Sequence, residues 1–385
     1  MRVLGRGIPG LFFLLIMLAG AARAQVDFDT QAPYAVLMDY ESGVVLFQKN
    51  ADELIEPASM AKLMTVAVVL DMIERGALDL KDEFVITEHA WRTGGAPSRG
   101  STMFAELGSS VSVDNLLHSV IVQSGNDAAI ALAEGIAGSE AAFAGLMNEF
   151  ALDIGLENSH FTNPSGLPDE GMHMSARDLA YLARYIIREF PDYYPVFALE
   201  SFEWNGISQS NRNNLLNMGL GIDGLKTGHT EAAGYGIVVS TTEGGRRLVG
   251  VLHGLESASA RTEEARKLMT WGARSFERIP AFAAGAIVGH ARVYGGEVPE
   301  VGLVGEGAID IYLPRGNRRC LSAEIAYHAP ILPPVAEGQR LAQLRILCDD
   351  QIIQMAPLYA AESVGEGDIT RRASDALLEL MFGWL

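Results

Sequence analysis

Three features of the sequence predict an α+β domain followed by a small all-β domain. Strand-like runs stand at both ends of residues 25–280 with helical segments between them, so the first and last strands can share one sheet. Within that region Met60 to Leu70 is apolar nearly all round, the pattern of a helix buried inside a domain, and Lys62 is its only charge. From 281 to 367 the pattern changes to short apolar runs separated by Gly and Pro.

In chain order, Arg2 and Arg6, the apolar run Leu11 to Ala19 and Ala22-Arg23-Ala24 read as a signal peptide over 1–24, with the mature chain starting at Gln25. Tyr34 to Met38 and Val44 to Phe47, separated by Asp39-Tyr40-Glu41-Ser42-Gly43, read as a β-hairpin. Pro57 suits the start of a helix, which Gly76 closes. Phe84 to Thr87 is a short strand, and Trp91 to Gly100 is a surface loop rich in Gly, Pro and Ser. Val113 to Gln123 is helical, Ser124-Gly125-Asn126 is a turn, and another helix begins at Asp127. Thr162 to His173 is a long irregular loop of the kind that is often functional, and Ala176 to Glu189 is a helix. Ile222 to Thr230 leads into strands at Tyr235 to Thr241 and Leu248 to Leu252, and Thr262 to Phe276 is a further helix.

In the second domain, 281–367, the strands are Ile287 to Tyr294, Ile309 to Leu313, Ser322 to Tyr327, Leu341 to Cys348 and Gln351 to Met355. The tail, 368–385, is expected to be an amphipathic helix. Ala373, Ala376, Leu377, Leu380, Met381 and Trp384 share one face, Arg371, Arg372, Asp375 and Glu379 the other, and Phe382 falls among the polar residues. It is shorter than the ~20 residues that span a bilayer, so it is expected to lie on a membrane surface.

Composition narrows the classes of function. A net charge of −19 argues against nucleic acid as a partner, and against adsorption of the whole surface to anionic lipid. Cys320 and Cys348 are too few for a disulfide framework. They are expected on neighbouring strands, either bridged in an oxidising compartment or buried as small apolar residues. His160 and His173 lack the H-E-x-x-H spacing of a zinc site, and no metal or other cofactor is expected.

Chemistry concentrates on Glu56-Pro57-Ala58-Ser59-Met60-Ala61-Lys62. On a helix starting near Pro57, Ser59 and Lys62 share a face, bringing a hydroxyl to an amine. Burial disfavours the ammonium form, so Lys62 should titrate well below the ~10.4 of a free lysine and be able to take the Ser59 proton. Lysine usage favours this reading, because the chain has five lysines against twenty-four arginines, and arginine cannot release its proton. Ser59-x-x-Lys62 alone is a weak match. Followed by Ser124-Gly125-Asn126 and Lys226-Thr227-Gly228, it completes a three-part set found in serine β-lactamases and penicillin-binding proteins. Read singly, Ser124 and Asn126 would pass as helix caps and Thr227-Gly228 as a turn.

The match extends through Asn163-Pro164-Ser165-Gly166-Leu167, His173, Ala176-Arg177-Asp178-Leu179, Asp223 to Thr230 and Ala329-Pro330-Ile331. Over nearly the whole mature chain the sequence closely resembles the low-molecular-mass penicillin-binding proteins of the D-alanyl-D-alanine carboxypeptidase type. Gly125, where class A β-lactamases have Asp, is an option those carboxypeptidases use. The resemblance implies a penicillin-binding, β-lactamase-like transpeptidase fold, an antiparallel sheet with helices on both faces. It implies removal of the terminal D-alanine from peptidoglycan stem peptides through an acyl-enzyme, and acylation by β-lactams. Ser59 would be the nucleophile and Lys62 its base, with Ser124 and Asn126 as relay and substrate-amide contact. Lys226 would face the substrate carboxylate, Thr227 and Thr230 would donate hydrogen bonds, Gly228 completes the motif, and the N–H groups of Ser59 and His229 would form the oxyanion hole. The resemblance also implies a periplasmic protein attached to the outer face of the inner membrane by its C-terminal helix. Rival readings are a β-lactamase, for which no E-x-x-L-N stretch stands between Asn163 and Asp178, a peptidoglycan endopeptidase, and a non-catalytic penicillin-binding sensor or scaffold.

Overall fold

The computed structural model describes residues 28–315, 321–348 and 351–373. The expected signal peptide and Cys320 lie outside the described residues, as does the tail helix beyond 373, although 369–373 are helical.

Strands β1 (Tyr34–Asp39) and β2 (Val45–Lys49) form the expected hairpin, with Ala35 opposite Lys49. A 3-10 turn over Ala58–Ala61 runs directly into α1 (Lys62–Glu74). Then come β3 (Glu83–Val85), α2 (Glu88–Thr93) and β4 (Ser110–Ser112). The helices α3 (Val113–Val122), α4 (Asn126–Ala137), α5 (Glu140–Asp153) and α6 (Ala176–Glu189) follow. A short hairpin, β5 (Ser201–Trp204) and β6 (Ile207–Ser210), precedes β7 (Ile222–Thr230), β8 (Gly234–Thr241), β9 (Leu248–Leu255) and α7 (Ala258–Ser275). Serine or threonine caps start most of these helices. The side chains of Thr87, Ser112, Ser139, Ser175 and Ser257 each accept from a first-turn N–H, a contribution of about 1 kcal/mol apiece.

The first domain is built on one antiparallel sheet of order β2-β1-β9-β8-β7, in which Tyr34 faces His253 and Lys226 faces Val238. Alternation along its strands splits the core in two. Ala35, Leu37, Ile237, Val239, Leu248 and Leu252 pack against Ala265, Leu268 and Met269 of α7. Val36, Met38, Val238, Val249 and Val251 turn the other way, into a larger core with α1, α3, α4 and α6. Helices therefore cover both faces, and each buried Leu, Ile or Val contributes about 1.5–3 kcal/mol.

The second domain adds β10 (Phe276–Phe282), β11 (Gly289–Arg292), β12 (Glu300–Gly305), β13 (Ile309–Pro314), β14 (Leu321–Tyr327), β15 (Arg340–Cys348) and β16 (Gln351–Ala360). Its main sheet has the order β11-β12-β16-β15-β14, while β10 pairs with β13. β10 continues from α7 without a loop and crosses the boundary expected at 280/281. The register sets Cys348 opposite Leu321, the residue after Cys320.

Several elements differ from expectation. The loop expected from Trp91 begins as helix, because Thr87 caps Ala90 and carries the chain to Thr93. α5, β12 and the β5–β6 hairpin are additional. No single helix among the described residues is long and apolar enough to cross a membrane.

Candidate active site

The site begins at a strained turn. Ala58 has φ +49° in the 3-10 turn that carries Ser59, a left-handed conformation costing a residue with a Cβ roughly 1–2 kcal/mol. The loop containing Asn163 to Leu167 holds this turn from one side. Gly166, at φ +70°, comes so close that a Cβ there would lie 1.9 Å from the Ala58 carbonyl oxygen. β7 closes in from the other side, where a Cβ on Gly228 would stand 3.0 Å from the Pro57 oxygen. Gly166 therefore needs to be glycine, by backbone conformation and by close approach, whereas a side chain at Gly228 would require its neighbours to give by a few tenths of an ångström.

Lys62 opens α1 directly after that turn and has no exposed surface. Its Nζ donates to Ser59 Oγ at 3.1 Å, to Asn126 Oδ1 at 2.7 Å and to the carbonyl of Ser165. Burial lowers its pKa to about 7, against the opposing pull of the Asp127 carboxylate.

Ser124 and Asn126 come from the turn between α3 and α4. Ser124 is in the left-handed region at φ +66°, and its buried Oγ has no partner among the described residues. The Asn126 N–H donates to the Ser101 carbonyl at 2.8 Å, joining the turn to the 101–105 loop. Asp127 continues that seam by accepting from Thr102 Oγ1 at 2.6 Å, Met103 N–H at 2.9 Å and Ala105 N–H at 3.4 Å. Burial raises the Asp127 pKa, while these donors oppose the shift.

The third side is β7. Lys226 is buried and donates to the Thr227 carbonyl at 3.1 Å. Its pKa is pushed well down by burial first, then by Lys62, Arg261 and Arg212. Four basic groups thus converge in a chain of net charge −19, a local field suited to an anionic substrate group. Thr227 is also buried. His229 stacks on Tyr235 with ring centroids 3.9 Å apart, and Arg261 lies 5.7 Å from the Tyr235 ring. The Thr230 hydroxyl donates to Glu56 Oε2 at 3.2 Å and accepts from the Ala233 N–H at 2.9 Å.

The residues expected from the three motifs therefore meet, contributed by α1, the α3–α4 turn and β7. Sequence reasoning did not single out the roles of the Ser165 carbonyl, Asp127, Arg212, Arg261, Tyr235 or Glu56. Glu56, Asp127 and Ser165 lay inside segments singled out above, whereas Arg212 and Arg261 carried no signal among twenty-four arginines. Elsewhere, His160 and His173 face each other across an isolated antiparallel bridge with rings 5.9 Å apart. No group of three or more metal-ligating side chains occurs among the described residues.

This arrangement can run acyl transfer: a hydroxyl beside a depressed-pKa amine, next to a cationic wall. Comparison with known proteins points the same way. Residues 20–257 match the model of the peptidase S11 family, D-alanyl-D-alanine carboxypeptidase, and residues 276–366 match the C-terminal domain of penicillin-binding protein 5. D-alanyl-D-alanine carboxypeptidase DacC of Escherichia coli is 38% identical over 376 residues, which cover 97% of this chain and 94% of that protein. Penicillin-binding protein 5 from Haemophilus influenzae superposes with a TM-score of 0.74 at 37% identity, covering 88% of this chain and 99% of the other. Penicillin-binding protein D2 from Listeria monocytogenes, solved with ampicillin bound, superposes at 0.56 with 26% identity over 64% of this chain and 98% of its own.

Proposed function

The chain belongs to the D-alanyl-D-alanine carboxypeptidase family and is a serine-type carboxypeptidase, and from that premise we propose how its residues divide the work. Its family acts on the D-Ala-D-Ala ends of peptidoglycan peptides and binds β-lactams. In our reading Ser59 attacks the carbonyl of the penultimate D-alanine while neutral Lys62 takes its proton. The observation that carries this assignment is the 3.1 Å contact between Ser59 Oγ and the fully buried Lys62 amine.

The N–H groups of Ser59 and His229 receive the negative charge that develops on the carbonyl oxygen, where fixed donors act most strongly. Lys226, with Thr227, holds the terminal carboxylate of the substrate, and that anion favours the charged form of a lysine which burial otherwise disfavours. Collapse of the tetrahedral intermediate breaks the C–N bond, and the proton held by Lys62 passes through the Ser124 hydroxyl to the leaving nitrogen of D-alanine. Asn126 orients Lys62 and the substrate amide. Water then attacks the ester carbonyl while Lys62 takes its proton, and collapse of that second intermediate breaks the C–Oγ bond, returns the proton from Lys62 to Ser59 Oγ and releases the shortened peptide. A β-lactam enters by the same first step, its ring amide replacing the peptide bond.

Intact-protein mass spectrometry with a D-Ala-D-Ala peptide, and separately with penicillin, tests this. Each should add one acyl group to a peptide containing Ser59, and Ser59→Ala should remove both adducts while leaving thermal unfolding in place. An adduct on Ser124 would contradict the assignment.

We further propose export to the periplasm through residues 1–24 and attachment to the outer face of the inner membrane through 368–385, on the sequence pattern described above. A chain ending at Gly367 should keep peptidase activity and stop sedimenting with anionic lipid vesicles. Equal sedimentation by both lengths would refute the anchor.

A further inference from the structure

We propose that Glu56 is a positioning residue, a strap that sets the separation between the two backbone N–H groups of the oxyanion hole. The inference rests on the acyl-transfer reading above, because it takes Ser59 and His229 as the two donors. They belong to different elements, Ser59 to the turn before α1 and His229 to β7. Packing of Gly228 against the Pro57 carbonyl and Met60 brings these elements together, but van der Waals contact has little directionality. Among the described residues, one side-chain hydrogen bond runs from residues 55–61 to β7, and it joins Glu56 Oε2 to Thr230 Oγ1 at 3.2 Å.

Its placement brackets the site. Glu56 lies three residues before Ser59, and Thr230 directly follows His229, so the bond closes a short loop around both donors. The Thr230 hydroxyl has one proton, and it points to the Glu56 carboxylate while the oxygen accepts from the Ala233 N–H. Thr230 therefore serves the scaffold in this arrangement and has no proton left for substrate.

The backbone of the same segment is held independently. His253 on β9 is buried beside the Glu56 carbonyl, which favours its protonated ring while burial, the larger influence, disfavours it. On the far side Ile55 exchanges two backbone hydrogen bonds with Met174, at 2.8 and 3.0 Å. With its backbone fixed, the Glu56 side chain is left to register the Ser59 turn against the end of β7.

Oxyanion donors must lie about 2.7–3.1 Å from the oxygen as it becomes charged, so a small change in their spacing weakens the transition state more than the bound substrate. The effect should therefore fall on kcat and on the limiting rate of acylation, with KM nearly unchanged.

The test compares wild type, Glu56→Ala, Glu56→Gln, Thr230→Val and the Glu56→Ala/Thr230→Val double variant. For each, kcat and KM are measured with a D-Ala-D-Ala peptide, and the limiting rate and half-saturation of acylation with penicillin. Removing one oxyanion donor outright costs 10²–10³ in kcat in other enzymes, so losing the strap should cost about ten- to a hundredfold. Glu56→Gln keeps an acceptor for Thr230 and should recover most of that loss. The double variant should be no slower than the slower single one, as expected for two ends of one bond. Losses in KM instead of kcat, a Gln variant as slow as Ala, or single losses that multiply in the double variant would overturn the strap. If Glu56→Ala fails to fold, the comparison of Glu56→Gln with Thr230→Val decides alone: equal rates overturn the proposal. Wild-type protein that penicillin does not acylate at Ser59 would overturn the acyl-transfer reading itself, whatever Glu56 does.

Discussion

A lysine with no exposed surface persists as an ammonium only if each of its three protons finds an acceptor, and Lys62 has Ser59, Asn126 and Ser165. The same burial lowers its pKa to about 7, so near neutral pH a large share is free base able to accept the Ser59 proton. The acid limb of kcat/KM, and of acylation by penicillin, should accordingly rise through about pH 7 as Lys62 loses its proton. Asp127 works against burial by favouring the charged amine. Asp127→Asn removes that influence, lowers the Lys62 pKa further and should move the limb to lower pH. Rate–pH profiles of the two proteins between about pH 5 and 9 decide this, and a limb that stays in place would rule out Asp127 as the charge that tunes Lys62. Lys62→Arg should reduce acylation by at least about 10²-fold, the lower end of what a positioned base supplies, because arginine keeps the charge but cannot take the proton.

At the scale of elements, the loop containing Gly166 delivers the Ser165 carbonyl to Lys62 while wedged against the Ala58 carbonyl. Gly166→Ala puts a methyl group 1.9 Å from that oxygen in a left-handed backbone, so the loop must withdraw. We expect a loss of about 3 kcal/mol or more in chemical unfolding, the size typical of overpacking combined with backbone strain, and slower acylation as Lys62 loses an acceptor. Wild-type stability in that variant would mean that the loop is free to move aside. The loop's length and its Gly and Asn were visible in the sequence, and so was the lone lysine of a buried helix, because both rest on local pattern. The β5–β6 hairpin was equally local and was missed: Asn205-Gly206, at φ +49° and +72°, is the Asn-Gly pair that two-residue hairpins favour. α5 escaped for another reason, since its buried Phe143, Met147 and Phe150 alternate with Ala and Gly that blur the contrast between faces. Arg212 and Arg261 were not legible at all, and Glu56, although inside the segment singled out around Ser59, gave no sign of its partner. Their meaning comes from β7 lying beside the Ser59 turn, a contact between residues some 170 positions apart along the chain.

Across the whole molecule, the two domains meet at a small buried polar patch under the β1–β2 hairpin. The Tyr312 hydroxyl on β13 donates to Asp39 Oδ1 at 2.8 Å, and Asp39 also accepts from the Ser42 hydroxyl at 2.7 Å and the Ser42 N–H at 3.0 Å. Arg246 caps the patch, 5.7 Å from the Tyr312 ring and 6.0 Å from Phe276. Gln354 on β16 braces the same strand, accepting from the Tyr312 N–H at 3.1 Å and donating to the Asp310 carbonyl at 2.6 Å. Because β10 continues directly from α7, this patch, together with the apolar cluster of Val44, Phe276 and Tyr312 beside it, resists rotation of the second domain about that junction. Burial, followed by the Asp39 charge, raises the Tyr312 pKa and keeps its hydroxyl a donor. Tyr312→Phe preserves the ring and its packing against Arg246 but removes one of the hydrogen-bond donors to Asp39, a loss of about 1–3 kcal/mol for a buried acceptor deprived of one partner. Since Ser59, Lys62, Asn126 and Lys226 all come from the first domain, the variant should keep kcat within about twofold. Its effect should fall on cooperativity, separating one calorimetric unfolding transition into two as the domains lose their coupling. A drop in kcat with a single transition would instead mean that the second domain acts on the site through β1, the strand that shares a sheet with β7.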